Sequence, residues 1–239
     1  MGANSRDVGE GDARFMIEKD VSQHYADPSI AGKQRGIVER ELEAMYSGNA
    51  PRFFRVIGEV VDQIRVLDTR DSLTLLDVAC GSAYYSEVIE FLSPGWIEYT
   101  GVDYNLGMLE LASQCYPGLS VAYGDILDLQ FDDDSFDIVL SGATIGHVRD
   151  WQKALQELTR VARTWLILHR NPVWMDGSPT GCSIRCDYDV DVIVHRFARS
   201  DLIDTVTSFG MKLLSTYETW PVCGNEGMYT YLFEKVGSQ

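Results

Sequence analysis

Positive charge is scarce in this sequence. Its 239 residues hold 20 Lys and Arg against 36 Asp and Glu, a formal net charge of −16. Such a chain repels a phosphate polyanion, and no Lys/Arg cluster interrupts the acidity, so nucleic acid is disfavoured as a partner and a small molecule fits better. Long apolar runs are also missing. None reaches the length of a membrane span, so no membrane partner is expected. Residues 1–14 are polar and acidic and lack the basic and apolar segments of a signal peptide; a disordered lead-in is expected there. The five cysteines are odd in number and irregular in spacing, which predicts reduced thiols in a cytoplasmic protein. Cys182 and Cys186 lie four apart with no second pair to complete a ligand set, so no metal is expected. Repeats and low-complexity linkers are absent. The oligomeric state is not legible.

What is present is a patterned chain with 45% hydrophobic residues, enough for a sizeable core in one domain over 15–239. Residues 15–70 read as a helical cover. Ile37, Val38, Leu42, Met45 and Tyr46 mark one amphipathic face, and Phe53, Phe54, Ile57, Val60, Val61, Ile64 and Leu67 hold a 3.6-residue period after Pro51. Short apolar runs then alternate with helical stretches: strands at 73–78, 96–102, 119–123, 136–140 and 165–168, and helices at 84–92, 106–115 and from Asp150, a capping residue. That alternation predicts βαβ units, a Rossmann-like, doubly wound, mostly parallel α/β sheet of seven strands. From 171 to 197 the pattern breaks up around Pro172, Gly177, Pro179 and Gly181, as in a substrate-side insertion or lid. Ser200 caps a further helix to Phe209. Two last strands, 211–220 and 228–235, suggest a terminal antiparallel hairpin.

In such a sheet ligands lie beyond the carboxyl ends of the strands. The first of these ends is Asp77-Val78-Ala79-Cys80-Gly81-Ser82-Ala83, a strand turning through small residues into a helix, where backbone N–H groups approach a ligand closely. Asp103 ends the second strand, 22 residues beyond Gly81, where a carboxylate accepts both hydroxyls of a ribose. Asp125 ends the third and can accept from an exocyclic amine, with Tyr104 and Ile126 on the two faces of a base. Two ligand classes fit, dinucleotides and S-adenosylmethionine. A dinucleotide fingerprint starting at Ala79 requires its third glycine at position 84, to let the helix pack closely. Tyr84 is too bulky for that role, which weighs against a nicotinamide oxidoreductase.

The stretch 77–83 resembles the first motif of class I S-adenosylmethionine-dependent methyltransferases, and Gly101-Val102-Asp103-Tyr104-Asn105-Leu106-Gly107-Met108-Leu109 resembles their second. Gly124-Asp125-Ile126-Leu127-Asp128-Leu129, with Phe136-Asp137-Ile138-Val139, is similar to their third and fourth strands. The resemblance runs in order over about 73–170. It implies that Ala79, Cys80, Gly81 and Met108 contact the cofactor, that Asp77 supports the loop and orients the amino group, and that Asp103 holds the ribose. Asp125, Tyr104 and Ile126 would hold the adenine. Ser141 to Thr144 would line the wall near the sulfonium, and Tyr25 would fold over the cofactor from the N-terminal side. Ala79 and Ala83 replace motif glycines, and the Pro-Gly-Gly turn usual before the fifth strand is missing.

The expected function is methyl transfer from S-adenosylmethionine to a small molecule, at oxygen or nitrogen rather than carbon, giving S-adenosylhomocysteine. The alternative is a regulator or subunit that binds the cofactor and catalyses nothing. A general base is needed only if the acceptor must lose a proton. His147, after the fourth strand, and His169, at the end of the fifth, are the candidates. Arg170, Trp174, Tyr188 and His195 are candidate acceptor-binding residues, Arg170 for an acidic group.

Overall fold

The computed structural model describes residue 25, residue 27 and residues 29–237. The expected lead-in and the start of the helical cover lie outside the described residues. Two helices come first, α1 (Ser29–Tyr46) and α2 (Arg52–Leu67). Then β1 (Leu73–Val78), α3 (Tyr84–Leu92), β2 (Ile97–Asp103), α4 (Leu106–Cys115), β3 (Ser120–Tyr123) and β4 (Phe136–Gly142) alternate. A short 3-10 turn at Ile145–His147 leads to α5 (Trp151–Val161), β5 (Ala162–Trp174), β6 (Gly181–Asp187), β7 (Val190–Arg196), α6 (Arg199–Ser208), β8 (Met211–Cys223) and β9 (Glu226–Lys235).

Seven strands make one sheet in the order β3-β2-β1-β4-β5-β9-β8. β1 pairs in parallel with β2 and β4, and β4 with β5, while β9 is antiparallel to both β5 and β8. The expected α/β architecture and its terminal hairpin are therefore present. The chain winds outward in both directions from β1 and β4, so a crevice opens where their carboxyl ends diverge. Side chains alternate across the sheet. Leu75, Ile138, Leu140 and Ile167 pack with α2 and α3, and Leu76, Val139, Leu166 and Leu168 pack with α5 and α6.

Three local readings change. Ile37, Tyr46 and Leu67 are exposed, Ile37 where it borders a cavity. Ser200 is not the cap of its helix; the cap position is Ala198, whose N–H is satisfied by Thr180 Oγ1. The unpatterned 171–197 segment is ordered: β5 continues to Trp174, and β6 and β7 pair antiparallel. Their turn is Tyr188-Asp189, both at positive φ (51° and 65°). That is the geometry of a two-residue hairpin turn, which favours Asn-Gly; without those residues the hairpin leaves little mark on the sequence.

At the opposite end of the sheet Asp137 ties four segments together. Its carboxylate accepts from Thr74 N and Thr74 Oγ1 at 2.9 Å, and from Arg70 Nη1 and Arg163 Nη1 at 2.6 Å. Burial raises its pKa, but the Thr74 N–H and the two guanidinium groups outweigh it and hold the carboxyl below its ordinary range. Such a group stabilises the fold above the pKa it has in the unfolded chain, and that stability is lost as pH falls through the depressed folded value. Asp137→Asn is expected to lower unfolding free energy by about 1–3 kcal/mol near neutral pH. The deficit relative to wild type should shrink as the wild-type carboxyl protonates in acid, and urea unfolding at a series of pH values measures both.

Candidate active site

The turn after β1 is built on backbone strain. Ala79, Gly81 and Ala83 all have positive φ (60°, 57° and 57°), which explains the small residue at every second position. The two alanines hold a conformation that costs an L-residue on the order of 1 kcal/mol. Gly81 is needed for space as well, since a Cβ there would lie 2.9 Å from Gln34 Oε1. Gly101 beneath the turn admits Cys80, whose Sγ would lie 2.8 Å from a Cβ at that position.

The turns after β1 and β2 are joined by one carboxylate. Asp103 Oδ2 accepts from Gly81 N and Oδ1 from Asn105 N, each at 2.8 Å. Burial raises the Asp103 pKa against the pull of the Asn105, Gly81 and Tyr104 N–H groups. Asn105 caps α4, its Oδ1 accepting from Met108 N at 3.1 Å, and its Nδ2 donates to Tyr25 O at 2.5 Å. The N-terminal segment is thus tied to the same knot.

A cavity of about 270 Å³ opens over these turns. Its lining includes Ala79, Gly81, Asp103, Tyr104, Met108 and Ile126 together with Tyr25, His147, Arg170 and Tyr188. Ten residues predicted from the sequence therefore share one space, drawn from seven segments of the chain. Gly142, Ala143 and Thr144 form part of the wall. Gly142 cannot carry a side chain, since its Cβ would lie 2.7 Å from the Tyr85 ring.

Seven predicted residues do not line the cavity. Asp77 is buried under the turn, taking the Tyr99 hydroxyl on Oδ2 at 2.6 Å and leaving Oδ1 without a hydrogen bond. Cys80 packs downward, and Ser141 is buried with its Oγ unpartnered. Asp125 is exposed, one oxygen accepting from Leu127 N at 2.9 Å. His169 is fully buried, its Nδ1 2.7 Å from Thr230 Oγ1, and its pKa is driven well down by burial and by Arg170. It has no access to an acceptor, so its place as a candidate base is corrected: β5 turns this ring into the sheet and gives the cavity to Arg170. Trp174 lies under the Arg196 guanidinium instead. His195 stacks on Phe197, and burial together with His147 pushes its pKa down to about 4.

His147 is held differently. Its Nδ1 lies 2.8 Å from Ile193 O on β7. A carbonyl only accepts, so the proton sits on Nδ1 and the neutral ring keeps Nε2 as a base. The Tyr25 ring meets it edge-on at 5.1 Å. Burial lowers the His147 pKa, which keeps the ring neutral at physiological pH. The sequence reading missed Gln34, Ile37, Val38 and Glu41, which line the roof from α1. Their i, i+3, i+4, i+7 spacing was available as a signal, but it mixes polar and apolar residues and does not read as a core stripe.

Among the described residues no group of three His, Cys, Asp or Glu side chains is arranged to hold a metal ion, and Cys182 and Cys186 are both exposed on β6. Burial raises the pKa of Asp77 to about 7, with Asp103 adding to the rise and the Tyr99 hydroxyl opposing it. An acid whose folded pKa exceeds its unfolded one loses stability as pH rises between the two, here from about 3.8 to about 7. Asp77→Asn, which keeps an acceptor for Tyr99, is therefore expected to melt above wild type in mildly alkaline buffer without ligand, with the difference vanishing in acid. Calorimetric scans at the two pH values test this.

Residues 76–165 match the family described as "Methyltransferase domain". A demethylmenaquinone methyltransferase from Staphylococcus epidermidis is 34% identical over 91 residues, covering 37% of this chain and 38% of the relative. The chain thus matches well under half of that relative's length. A solved S-adenosylmethionine-dependent methyltransferase from Methanosarcina mazei shares the fold with TM-score 0.56 and 21% identity, over 70% of this chain and 93% of its own. So does an amino pentose methyltransferase from Micromonospora echinaspora, solved with S-adenosylmethionine bound, with TM-score 0.57 and 18% identity over 82% of this chain and 96% of its own. Motif order, sheet order and the match over residues 76–165 point the same way: this stretch is similar to a methyltransferase domain, and the fold is the one seen in solved S-adenosylmethionine-dependent methyltransferases.

Proposed function

We propose that this protein transfers a methyl group from S-adenosylmethionine to a small-molecule acceptor, at oxygen or nitrogen, and releases S-adenosylhomocysteine. One observation carries the reading: a single cavity is lined by Gly81 and Asp103 together with Tyr25 and His147. When bound, the cofactor supplies an electrophilic methyl on a sulfonium. The residues present fit it. Asp103 keeps lone pairs on both oxygens after taking two N–H groups, enough for two ribose hydroxyls. Tyr104 and Ile126 flank the space for a flat base, and Asp125, exposed beside Ile126, is the acceptor for its amine. Ala79, Gly81 and Met108 border the methionine end. Below them the unpartnered Asp77 Oδ1 supplies the negative charge that an ammonium group seeks.

On the acceptor side the chain must orient a nucleophile in line with the methyl group, and positioning supplies much of the rate. Where the acceptor is a hydroxyl, His147 Nε2 takes its proton, with Ile193 O fixing the tautomer. Tyr25 and Tyr188 wall the acceptor and keep water away. The relatives named demethylmenaquinone methyltransferases support a quinone-type molecule as a second acceptor class, in which the methyl group would go to carbon. Five unpaired cysteines support a reducing, cytoplasmic setting.

Titration calorimetry is expected to give saturable binding of S-adenosylmethionine and S-adenosylhomocysteine; absence of both would overturn the proposal. Asp103→Ala is expected to weaken S-adenosylhomocysteine by about 10- to 100-fold, since hydrogen bonds to a charged acceptor are lost. Incubation of labelled S-adenosylmethionine with small-molecule extracts separates an enzyme from a regulator, since a protein that only binds the cofactor labels nothing. Once an acceptor is found, His147→Gln is expected to reduce kcat by about 100- to 10,000-fold while cofactor affinity holds. Because the His147 pKa is lowered, wild-type activity should persist at pH values below the ordinary histidine range before it falls. Loss of rate at the ordinary histidine value would point to another base.

A further inference from the structure

A regular strand would not put Arg170 where it stands. β5 shifts register against β9 between Leu168 and Asn171, and Arg170 takes φ +59°. Leu166 and Leu168 face α5, so strict alternation would send Arg170 to that side as well. Instead its guanidinium lies 4.4 Å from the centre of the Phe53 ring on α2, across the sheet, and lines the cavity. A bulge re-aims one side chain, and a bulky residue in the left-handed region carries strain that the surrounding packing must offset. Both features serve to deliver one cation to this space.

Among the described residues the cation has the Phe53 ring and the Tyr85 hydroxyl beside it but no carboxylate in an ion pair. Arg170 Nε is buried and makes no hydrogen bond among the described residues, and the neutral Tyr85 hydroxyl beside the guanidinium does not balance its charge. Glu41, on the roof of the same cavity, acts on Arg170 through its field and not through a hydrogen bond. Among the described residues no carboxylate forms an ion pair with this guanidinium, in a site where an unpaired charge is costly. The planar fork of an arginine matches an anionic oxygen group, and Phe53 holds its plane from behind.

We propose that Arg170 is the recognition residue for an anionic oxygen group of the acceptor, carboxylate or phenolate, on a small flat molecule walled by Tyr25 and Tyr188. The proposal rests on the methyltransferase reading and deepens it to a substrate class. With S-adenosylhomocysteine present in excess, benzoate and 4-nitrophenol in mildly alkaline buffer supply the two anion sources, and benzyl alcohol is the neutral counterpart. At least one anion should bind about ten-fold or more tightly than the alcohol. A preference for benzoate marks a carboxylate, and one for nitrophenol a phenolate. Arg170→Gln should abolish the preference, and Arg170→Lys should keep part of it. The Arg170→Gln protein should melt at or above the wild-type temperature without ligand, because it loses an unpaired charge. No preference for either anion, absence of all binding included, overturns the proposal. So does a preference that survives in Arg170→Gln, or a marked fall in that variant's melting temperature. S-adenosylhomocysteine affinity on the same samples separates the two readings: if it is retained while the anion preference is missing, Arg170 alone has been misread.

Discussion

The Asp103 carboxylate is the group on which the rest of this site depends. One oxygen holds the Gly81 N–H and the other the Asn105 N–H, so two loops that the sheet delivers side by side become one surface. Asn105 extends the tie to the first turn of α4 and to the backbone of Tyr25. Each bond is charge-assisted or buried and therefore strong. The same carboxylate must remain open to the cavity, which limits what can lie above it to small residues and backbone. Ala79 and Gly81 meet that limit, and their positive φ angles are the strain that accompanies it.

The acceptor end is held less tightly and from farther away in the chain. Its roof is α1 and the tip of the β6–β7 hairpin, which meet through Ile30, Ala31 and Met108 packed with Tyr25, Tyr188 and Val190. Lys33 bridges them to Tyr188 O and Asp189, but that pair is largely exposed and adds little. The His147 ring takes its orientation from Ile193 O on the hairpin. The two segments that are least regular in the sequence thus set the geometry of the two groups best suited to act on an acceptor. Turns fixed by the sheet, joined to a roof of attached segments, make an arrangement in which the roof can vary while the sheet is kept.

The cofactor end was legible because its constraints are local. A strand end, a turn of small residues and an acid at the next strand end are short-range patterns whose spacing survives any change in the surrounding helices. The acceptor end was legible only in part. His169 and Arg170 are adjacent and equally promising in the sequence, yet a bulge in β5 buries one against Thr230 and sends the other to the cavity. Side-chain direction along a strand reverses with every residue, so one irregularity decides which residue lines the cavity. The β6–β7 hairpin escaped notice because Tyr188 and Asp189 adopt positive φ without the residues that usually announce it.

By itself, then, the sequence determined the α/β class and the carboxyl ends of β1, β2 and β3 with their acids, since hydrophobic period and turn chemistry act within a few residues. Only the tertiary structure decided that Tyr25, Gln34 and Glu41 close over the site, that His147 carries its proton on Nδ1, and that Arg170 replaces His169 at the cavity. Those outcomes turn on contacts between segments tens to more than a hundred residues apart, and on one register shift set by the antiparallel partner β9. A local pattern carries no information about either.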